Sequence, residues 1–210
     1  MADFTRRLPV YLLLDCSGSM AGEPMEAVRQ GVKALLSELR GDPQALETAY
    51  LSVITFDSRA RQIMPLTELM LFREPELSAG GATALGGALR VLIQCVKTEV
   101  RRASPTQKGD WRPLAFLLTD GSPTDVEEFH LAARELKELG AVNIIACAAG
   151  ARADVACLQQ VTDHVVMMNT LSAGDLAQFF EWVSGSVRMG SRGMDGALNQ
   201  PPPQGFVVVS

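Results

Sequence analysis

Several stretches of the chain are apolar at almost every position instead of at alternate positions. These runs cover residues 8–14, 49–56, 114–119 and 142–149. Strands that are half exposed alternate between apolar and polar residues, whereas strands covered on both faces are apolar throughout. The pattern therefore predicts four buried β-strands.

Helical periodicity fills the segments between these strands. Apolar residues recur at steps of three and four within 25–39 and again within 85–96. This spacing places them on one face of a helix. Further helices are expected at about 126–139, 154–160 and 172–187. Because strands and helices alternate, we predict an α/β fold of the doubly wound, Rossmann-like kind: a mostly parallel sheet with helices on both faces.

Two more strands complete a predicted six-stranded sheet. Residues 60–67 follow the second strand after only a few residues, which is too short for a helical crossover. We therefore expect a hairpin with an antiparallel third strand at the sheet edge. Pro65 suits an edge, because proline cannot donate a ladder hydrogen bond. A weaker strand is expected at 164–168.

The domain organisation follows from length and from a change in composition near the C-terminus. The 210 residues, 47% of them apolar, are sufficient for one core. Residues 189–210 are rich in Gly, Pro and polar residues, so we predict one domain over 1–188 and a flexible C-terminal tail over 189–210. The alternative is that the terminal residues 206–209, FVVV, dock on the domain.

Composition also restricts the partners and the compartment. A net charge of −5 provides no basic surface for nucleic acid. The apolar run at 8–14 is too short for a membrane helix or a signal peptide, and no run approaches the roughly 18 to 20 apolar residues that a spanning helix needs, so we expect no membrane association. Four cysteines lie far apart without a C-x-x-C pair, which favours free thiols and a cytoplasmic location.

Polar clusters stand where three of the predicted elements begin or end. The sequence D-C-S-G-S (15–19) follows the first strand, T-D-G-S (119–122) ends the strand at 114–119, and S-A-G-G-A-T (78–83) precedes the helix at 85–96. In doubly wound sheets, ligands bind at the carboxyl ends of the strands. These clusters are therefore expected to meet at one site.

The side chains in these clusters suit a hard divalent cation. Mg²⁺ prefers about six oxygen ligands, usually one or two carboxylates with neutral oxygens and water. The candidate ligands are Asp15, Ser17, Ser19, Thr83 and Asp120. We predict Mg²⁺ at this site, with Mn²⁺ or Ca²⁺ as alternatives. Two carboxylates only just balance a dication, so the metal would still attract a carboxylate from outside the chain.

Each cluster by itself has an ordinary structural explanation. Asp and Ser are common in turns, and Thr83 is a common type of helix cap. The metal site is favoured because the three clusters occur together at strand ends and a helix start.

Two further aspartates near strand ends, Asp57 and Asp125, are candidates for the rim of the site. Cys16 lies within the first cluster, but a buried thiol that points away is favoured because hard cations reject sulfur.

At these positions the sequence resembles the von Willebrand factor A domain family. The metal-ion-dependent adhesion site of that family has the same D-x-S-x-S, a threonine in a Gly-rich loop and an aspartate before glycine, and the resemblance covers residues 8–187. It implies that Ser17, Ser19 and Thr83 bind the metal directly while Asp15 and Asp120 act through water. It also implies an antiparallel third strand at the edge.

Within that family, three segments are most similar to the bacterial TerY type, which is associated with tellurium resistance and stress response. They are LPVYLLLDCSGSM, SAGGATALGGAL and KGDWRPLAFLLTDGSPTD. The TerY type is associated with genes for a protein kinase and a protein phosphatase. The resemblance thus implies a protein partner, a kinase or a phosphatase among the candidates, that supplies a Glu or Asp carboxylate to the metal.

The leading hypothesis for function is a metal-dependent protein–protein interaction module without a catalytic residue. An alternative is a Mg²⁺-dependent phosphohydrolase of the aspartyl-phosphate type, since Asp15 follows a strand. Ser17 stands where such enzymes have a second aspartate, which argues against it. A nucleotide site at residues 80–87 is disfavoured, because the segment lacks the lysine of a phosphate-binding loop.

Overall fold

The computed structural model describes residues 6–193 and 201–209, and its fold is organised around one central strand. Strand β1 (Leu8–Asp15) is buried at all of its positions. It pairs in parallel with a neighbour on each side, so both of its edges are hydrogen-bonded. This explains why its sequence is apolar without alternation.

The sheet has seven strands among the described residues, in the order β3-β2-β1-β4-β5-β6-β7. The others are β2 (Ala49–Phe56), β3 (Ala60–Glu68), β4 (Leu114–Thr119), β5 (Asn143–Ala149), β6 (Val165–Met168) and β7 (Val207–Val209). Strands β2, β1, β4, β5 and β6 are parallel, whereas β3 and β7 run antiparallel at the two edges. The predicted doubly wound fold and the antiparallel edge strand β3 are confirmed.

Helices cover both faces of this sheet. They are α1 (Glu23–Arg40), α2 (Pro43–Thr48), α3 (Leu85–Glu99), α4 (Val126–Leu139), α5 (Val155–Gln159) and α6 (Ala173–Ser191). Leu12 and Leu14 of β1 pack in one apolar cluster with α1 and α6, while Tyr11 and Leu13 pack in the other with α3 and α4. The short helix α2, which the sequence analysis did not predict, starts at a proline and is capped by the Asp42 side chain.

The structure of the C-terminal segment differs from the predicted flexible tail over 189–210. Helix α6 continues to Ser191, and Val207–Val209 form strand β7 against β6. Phe206 packs against the apolar cluster of α1 and α6. The physical reason is that β6 would otherwise leave a row of backbone donors and acceptors unpaired, and valine favours strands. The predicted tail also includes residues 194–200 and 210, which lie outside the described residues.

The K-G-D-W-R-P segment, residues 108–113, holds the start of β1. Asp110 forms a buried salt bridge with Arg7 at 2.6 Å, and the Trp111 N–H donates to the Arg7 carbonyl at 2.9 Å. The Arg101 N–H also donates to Asp110. The segment therefore aligns β1 with β4, whose carboxyl ends carry the candidate site.

No helix within 6–193 and 201–209 is both long and apolar enough to cross a membrane.

Candidate metal-binding site

The loop after β1 brings the D-x-S-x-S side chains together. The Ser17 N–H donates to Asp15 Oδ1 at 2.8 Å, and a 3-10 turn follows over Gly18–Met20. The hydroxyls of Ser17 and Ser19 lie 3.0 Å apart. Asp15 and Ser17 are buried, whereas Ser19 is exposed. The loop thus forms a recess with Ser19 at its rim.

Strand β4 places Asp120 beside this loop. Leu14 of β1 and Leu118 of β4 are register partners, so the residues that follow each strand are neighbours. The Ser19 hydroxyl donates to Asp120 Oδ1 at 2.7 Å, across 101 positions of sequence. The parallel pairing of β1 and β4 therefore joins two of the predicted clusters.

The Gly-rich loop before α3 is fixed to the loop after β1 by backbone hydrogen bonds. The Gly18 N–H donates to the Gly81 carbonyl at 3.0 Å, and the Gly80 N–H donates to the Cys16 carbonyl at 2.8 Å. Gly81 has φ of +78°, and a Cβ there would lie 2.4 Å from Ser58 Oγ. Glycine is required at this position for both reasons. Gly18, in the loop after β1, is not among the positive-φ glycines.

Thr83 reaches the loop after β4 from this Gly-rich loop. The Thr124 N–H donates to the Thr83 carbonyl at 2.9 Å, and the Thr83 N–H donates to the Thr124 hydroxyl at 3.3 Å. A Cβ built on Gly121 would lie 3.6 Å from the Thr83 hydroxyl. The structure thus brings all five candidate ligands to the same end of the sheet.

The two aspartates considered for the rim support the Thr83 loop instead. Asp125 Oδ1 accepts the Gly86 N–H at 3.0 Å, and its Oδ2 accepts the Gly87 N–H at 2.8 Å. Asp125 is also the N-cap residue of α4, but its side chain caps α3 and not its own helix. The Asp57 carbonyl accepts the N–H of Ala84, while the Asp57 carboxylate pairs with Arg61.

The electrostatics of the site are dominated by two buried carboxylates. Asp15 and Asp120 are each 1% exposed. Burial raises the pKa of Asp15, hydrogen bonds from Ser17 and Thr119 lower it, and the charge of Asp120 raises it again. Two carboxylates in such surroundings repel each other, and a bound cation would relieve that repulsion.

The donor set fits a hard cation and not a thiophilic one. Within 6–193 and 201–209, no group of three or more His, Cys, Asp or Glu side chains could hold a metal, so the site has only its two carboxylates and three hydroxyls. Cys16 packs in the apolar cluster below the loop, and burial raises the pKa of its thiol to about 12. This agrees with the expectation that Cys16 points away from the site.

Two residues of the site were missed by the sequence analysis. The Thr119 hydroxyl donates to Asp15 Oδ2 at 2.6 Å, so both oxygens of Asp15 accept a hydrogen bond. The Arg152 guanidinium donates to Asp120 Oδ2 at 3.1 Å. Thr119 could have been suspected because it precedes Asp120 at the strand end. Arg152 has no comparable signal, because it lies in the loop after β5.

Comparison with known families identifies the class of this fold and site. The model of the von Willebrand factor type A domain matches residues 10–181. That match covers most of the chain and includes all five candidate ligands. The chain therefore belongs to the von Willebrand factor type A domain family.

A sequence relative is known from the cyanobacterium Synechocystis, where it is called the uncharacterized protein sll0103. It is 34% identical over an alignment of 126 positions, which covers 57% of this chain and 27% of that protein. The chain thus aligns with only about a quarter of the length of this relative.

Solved structures share the fold at low sequence identity. A von Willebrand factor type A protein from Catenulispora acidiphila has a TM-score of 0.64 and 21% identity, with 88% of this chain and 43% of that chain covered. Proximal thread matrix protein 1 of the mussel byssus, in a structure with a zinc-occupied metal-ion-dependent adhesion motif, has a TM-score of 0.56 and 17% identity, with 85% and 47% covered. At these identities, the likeness establishes the fold.

Proposed function

We propose that this chain is a metal-dependent protein–protein interaction module. The observation that carries the proposal is the convergence of two buried carboxylates and three hydroxyls from three separate loops. The Ser19–Asp120 hydrogen bond of 2.7 Å joins two of those loops directly. The zinc-occupied adhesion motif of the mussel protein, which has the same fold, supports the same chemistry here.

The residues proposed to hold the cation are those named from the sequence. Ser17, Ser19 and Thr83 would contribute hydroxyl oxygens, and Asp15 and Asp120 would balance the charge. When bound, the cation supplies a Lewis-acidic position that a Glu or Asp carboxylate of the partner completes. The chain itself orients the donors: the Ser17 N–H and the Thr119 hydroxyl fix both oxygens of Asp15.

The oxygen-only donor set favours Mg²⁺, with Mn²⁺ or Ca²⁺ as alternatives. Zinc is the ion in the mussel protein, so it belongs among the ions to be tested.

We propose no catalytic role for the site. An aspartyl-phosphate mechanism needs a carboxylate oxygen that is free to attack phosphorus. Asp15 is 1% exposed, and each of its oxygens already accepts a hydrogen bond. The alternative phosphohydrolase predicts release of phosphate from p-nitrophenyl phosphate with Mg²⁺, and such turnover by the wild type, lost in Asp15→Asn, would favour it.

The finer assignment is to the TerY type, in a cytoplasmic scaffold for a kinase or phosphatase in tellurium resistance or stress response. It rests on the resemblance of residues 108–113, and of the segments 8–20 and 78–89, to that type. Residues 108–113 also have a structural role at the start of β1, through Arg7 and Asp110. We propose a protein partner and neither nucleic acid nor membrane, because the net charge is −5.

Calorimetry with Mg²⁺, Mn²⁺, Ca²⁺ and Zn²⁺ on the full chain tests the metal site. One binding site is expected for the wild type, none for Asp15→Ala, and weakened binding for Thr83→Ala. Thr98→Ala is the matched control, since the hydroxyl of this exposed threonine donates to carbonyls of its own helix α3, away from the site. Wild-type affinity in Asp15→Ala would contradict the assignment.

Capture of the native partner tests the adhesion mechanism. Thr83→Ala removes one neutral oxygen and leaves both carboxylates, so partner capture should fall further than metal affinity. Capture should also be lost with EDTA and restored by Mg²⁺. If Thr83→Ala and EDTA both leave the partner bound as tightly as before, a metal at this site is structural.

A further inference from the structure

An exposed arginine is paired with one of the two buried carboxylates of the site. The Arg152 side chain is 72% exposed, and its guanidinium lies 3.1 Å from Oδ2 of Asp120, whose side chain is 1% exposed. Asp120 Oδ1 accepts the Ser19 hydroxyl. Among the described residues, Asp120 Oδ1 thus accepts from a hydroxyl and Oδ2 accepts from a cation.

The loop that carries Arg152 is held in place. The Gly150 N–H donates to the Met168 carbonyl of β6 at 2.7 Å, and Gly150 has φ of +79°. Asp154 caps α5 by accepting the Cys157 N–H at 3.0 Å. These two hydrogen bonds, at Gly150 and at Asp154, lie on either side of Arg152 and fix the backbone that carries it.

The guanidinium and a divalent cation would compete for the same charge. Arginine stays protonated at any pH at which the protein is folded. Among the described residues, Asp120 is the only salt-bridge partner of Arg152. A dication that uses Asp120 therefore meets a positive charge next to this carboxylate. Because Arg152 is largely exposed, its side chain can move toward solvent without disrupting the core.

We propose that Arg152 is a built-in competitor of the divalent cation and sets the metal affinity of the site. This inference rests on the proposed metal site. In the protein without metal, Arg152 forms an ion pair with Asp120. This ion pair breaks as the divalent cation binds the Asp120 carboxylate. The positive charge of Arg152 weakens metal binding. Filling the metal site therefore needs a higher concentration of the divalent cation than the five ligands alone would require.

Calorimetric titration of the full chain with Mg²⁺ or Mn²⁺ at low ionic strength tests this. Arg152→Gln should bind the metal about three- to tenfold more tightly than the wild type, because one positive charge a few ångströms away is removed. Arg152→Lys, which keeps the charge, should stay within about twofold of the wild type. Arg134→Gln is the matched control, since this exposed arginine lies on the third turn of α4. It should leave the affinity unchanged.

Thermal unfolding gives a second readout that needs no partner. Without metal, Arg152→Gln should melt below the wild type, because Asp120 loses its counter-ion. With saturating metal the two should converge, so the metal-induced rise in Tm should be larger for the variant. Arg134→Gln should show the wild-type rise.

The outcomes separate this inference from the proposed function. If the wild type binds metal and loses it in Asp15→Ala, but Arg152→Gln binds with equal or weaker affinity, the metal site stands and the role of Arg152 is wrong. If neither the wild type nor Arg152→Gln binds Mg²⁺, Mn²⁺, Ca²⁺ or Zn²⁺, the site itself is wrong and both proposals fall.

Discussion

The Thr119 hydroxyl donates to Asp15 Oδ2 at 2.6 Å, a bond between two buried residues that are 104 positions apart. It joins the last residue of β4 to the last residue of β1. Thr119 lies outside the five candidate ligands, yet it fixes the orientation of the carboxylate on which the site depends. The site therefore needs residues that support the ligands as well as the ligands themselves.

Thr119→Val should lower both stability and metal affinity. The valine keeps the shape of the side chain but leaves one oxygen of buried Asp15 without its donor, which costs about 1–3 kcal/mol of unfolding free energy. Urea denaturation measures the first effect, and calorimetry with Mg²⁺ measures the second. Thr119→Ser keeps the hydroxyl and should be closer to the wild type in both. Equal behaviour of the valine and serine variants would contradict this role.

Gly86→Ala should destabilise the protein, whereas Gly87→Ala should not. A Cβ on Gly86 would lie 2.3 Å from the backbone nitrogen of Phe129, while a Cβ on Gly87 comes no closer than 3.3 Å, to the Ala60 side chain. Overpacking against α4 costs about 1–3 kcal/mol. At Gly87 the helix propensity of alanine offsets the tighter contact, so a change within about 1 kcal/mol is expected.

Urea denaturation of the two alanine variants compares them at neighbouring positions of the same helix. Metal affinity should also fall in Gly86→Ala alone, because α3 begins two residues after Thr83. A Gly86→Ala variant as stable as Gly87→Ala would show that α3 and α4 can separate without cost.

Removal of residues 201–210 should lower the unfolding free energy by about 1–2 kcal/mol, through the cross-strand pairs that β7 makes with β6. The loss of Phe206 from the apolar cluster acts in the same direction. Differential scanning calorimetry measures the change. Gln204→Ala, at an exposed position before β7, is the control and should melt like the wild type. An unchanged Tm on truncation would instead support the flexible tail predicted from composition.

Thiol reactivity should follow burial. Burial raises the pKa of Cys16 and Cys95 to about 12 and that of partly exposed Cys157 to about 11, and it raises the pKa of Cys147 as well. The thiolate is the reactive form, so at pH 8 the native protein should react slowly with an aromatic disulfide reagent, and Cys157 should react first. In denaturant, all four should react fast. Cys157→Ser should remove the first phase, and a Cys16 that reacts first would contradict the burial of its side chain.

The sequence by itself determined the fold class, the family and the positions of the candidate ligands. The buried strands could be predicted because a strand covered on both faces must be apolar at every position, as β1 is. Asp15, Ser17 and Ser19 could be named because they lie in one short motif at the end of such a strand. Their role as metal ligands, with Thr83 and Asp120, stays a prediction that calorimetry can test.

Only the tertiary structure decided what surrounds those ligands. The partners of Asp15 and Asp120, Thr119 and Arg152, come from other strands and loops, and these become neighbours only through the order β1-β4-β5 in the sheet. Strand β7 likewise depends on the open edge of β6: the valines at 207–209 suit a strand, but their sequence does not show which strand they pair with. Local periodicity reports which face of an element is buried, but not which distant side chain lies against it. The hydrogen bonds of Thr119 and Arg152 that orient this site join side chains that are distant in sequence, so local periodicity does not predict them.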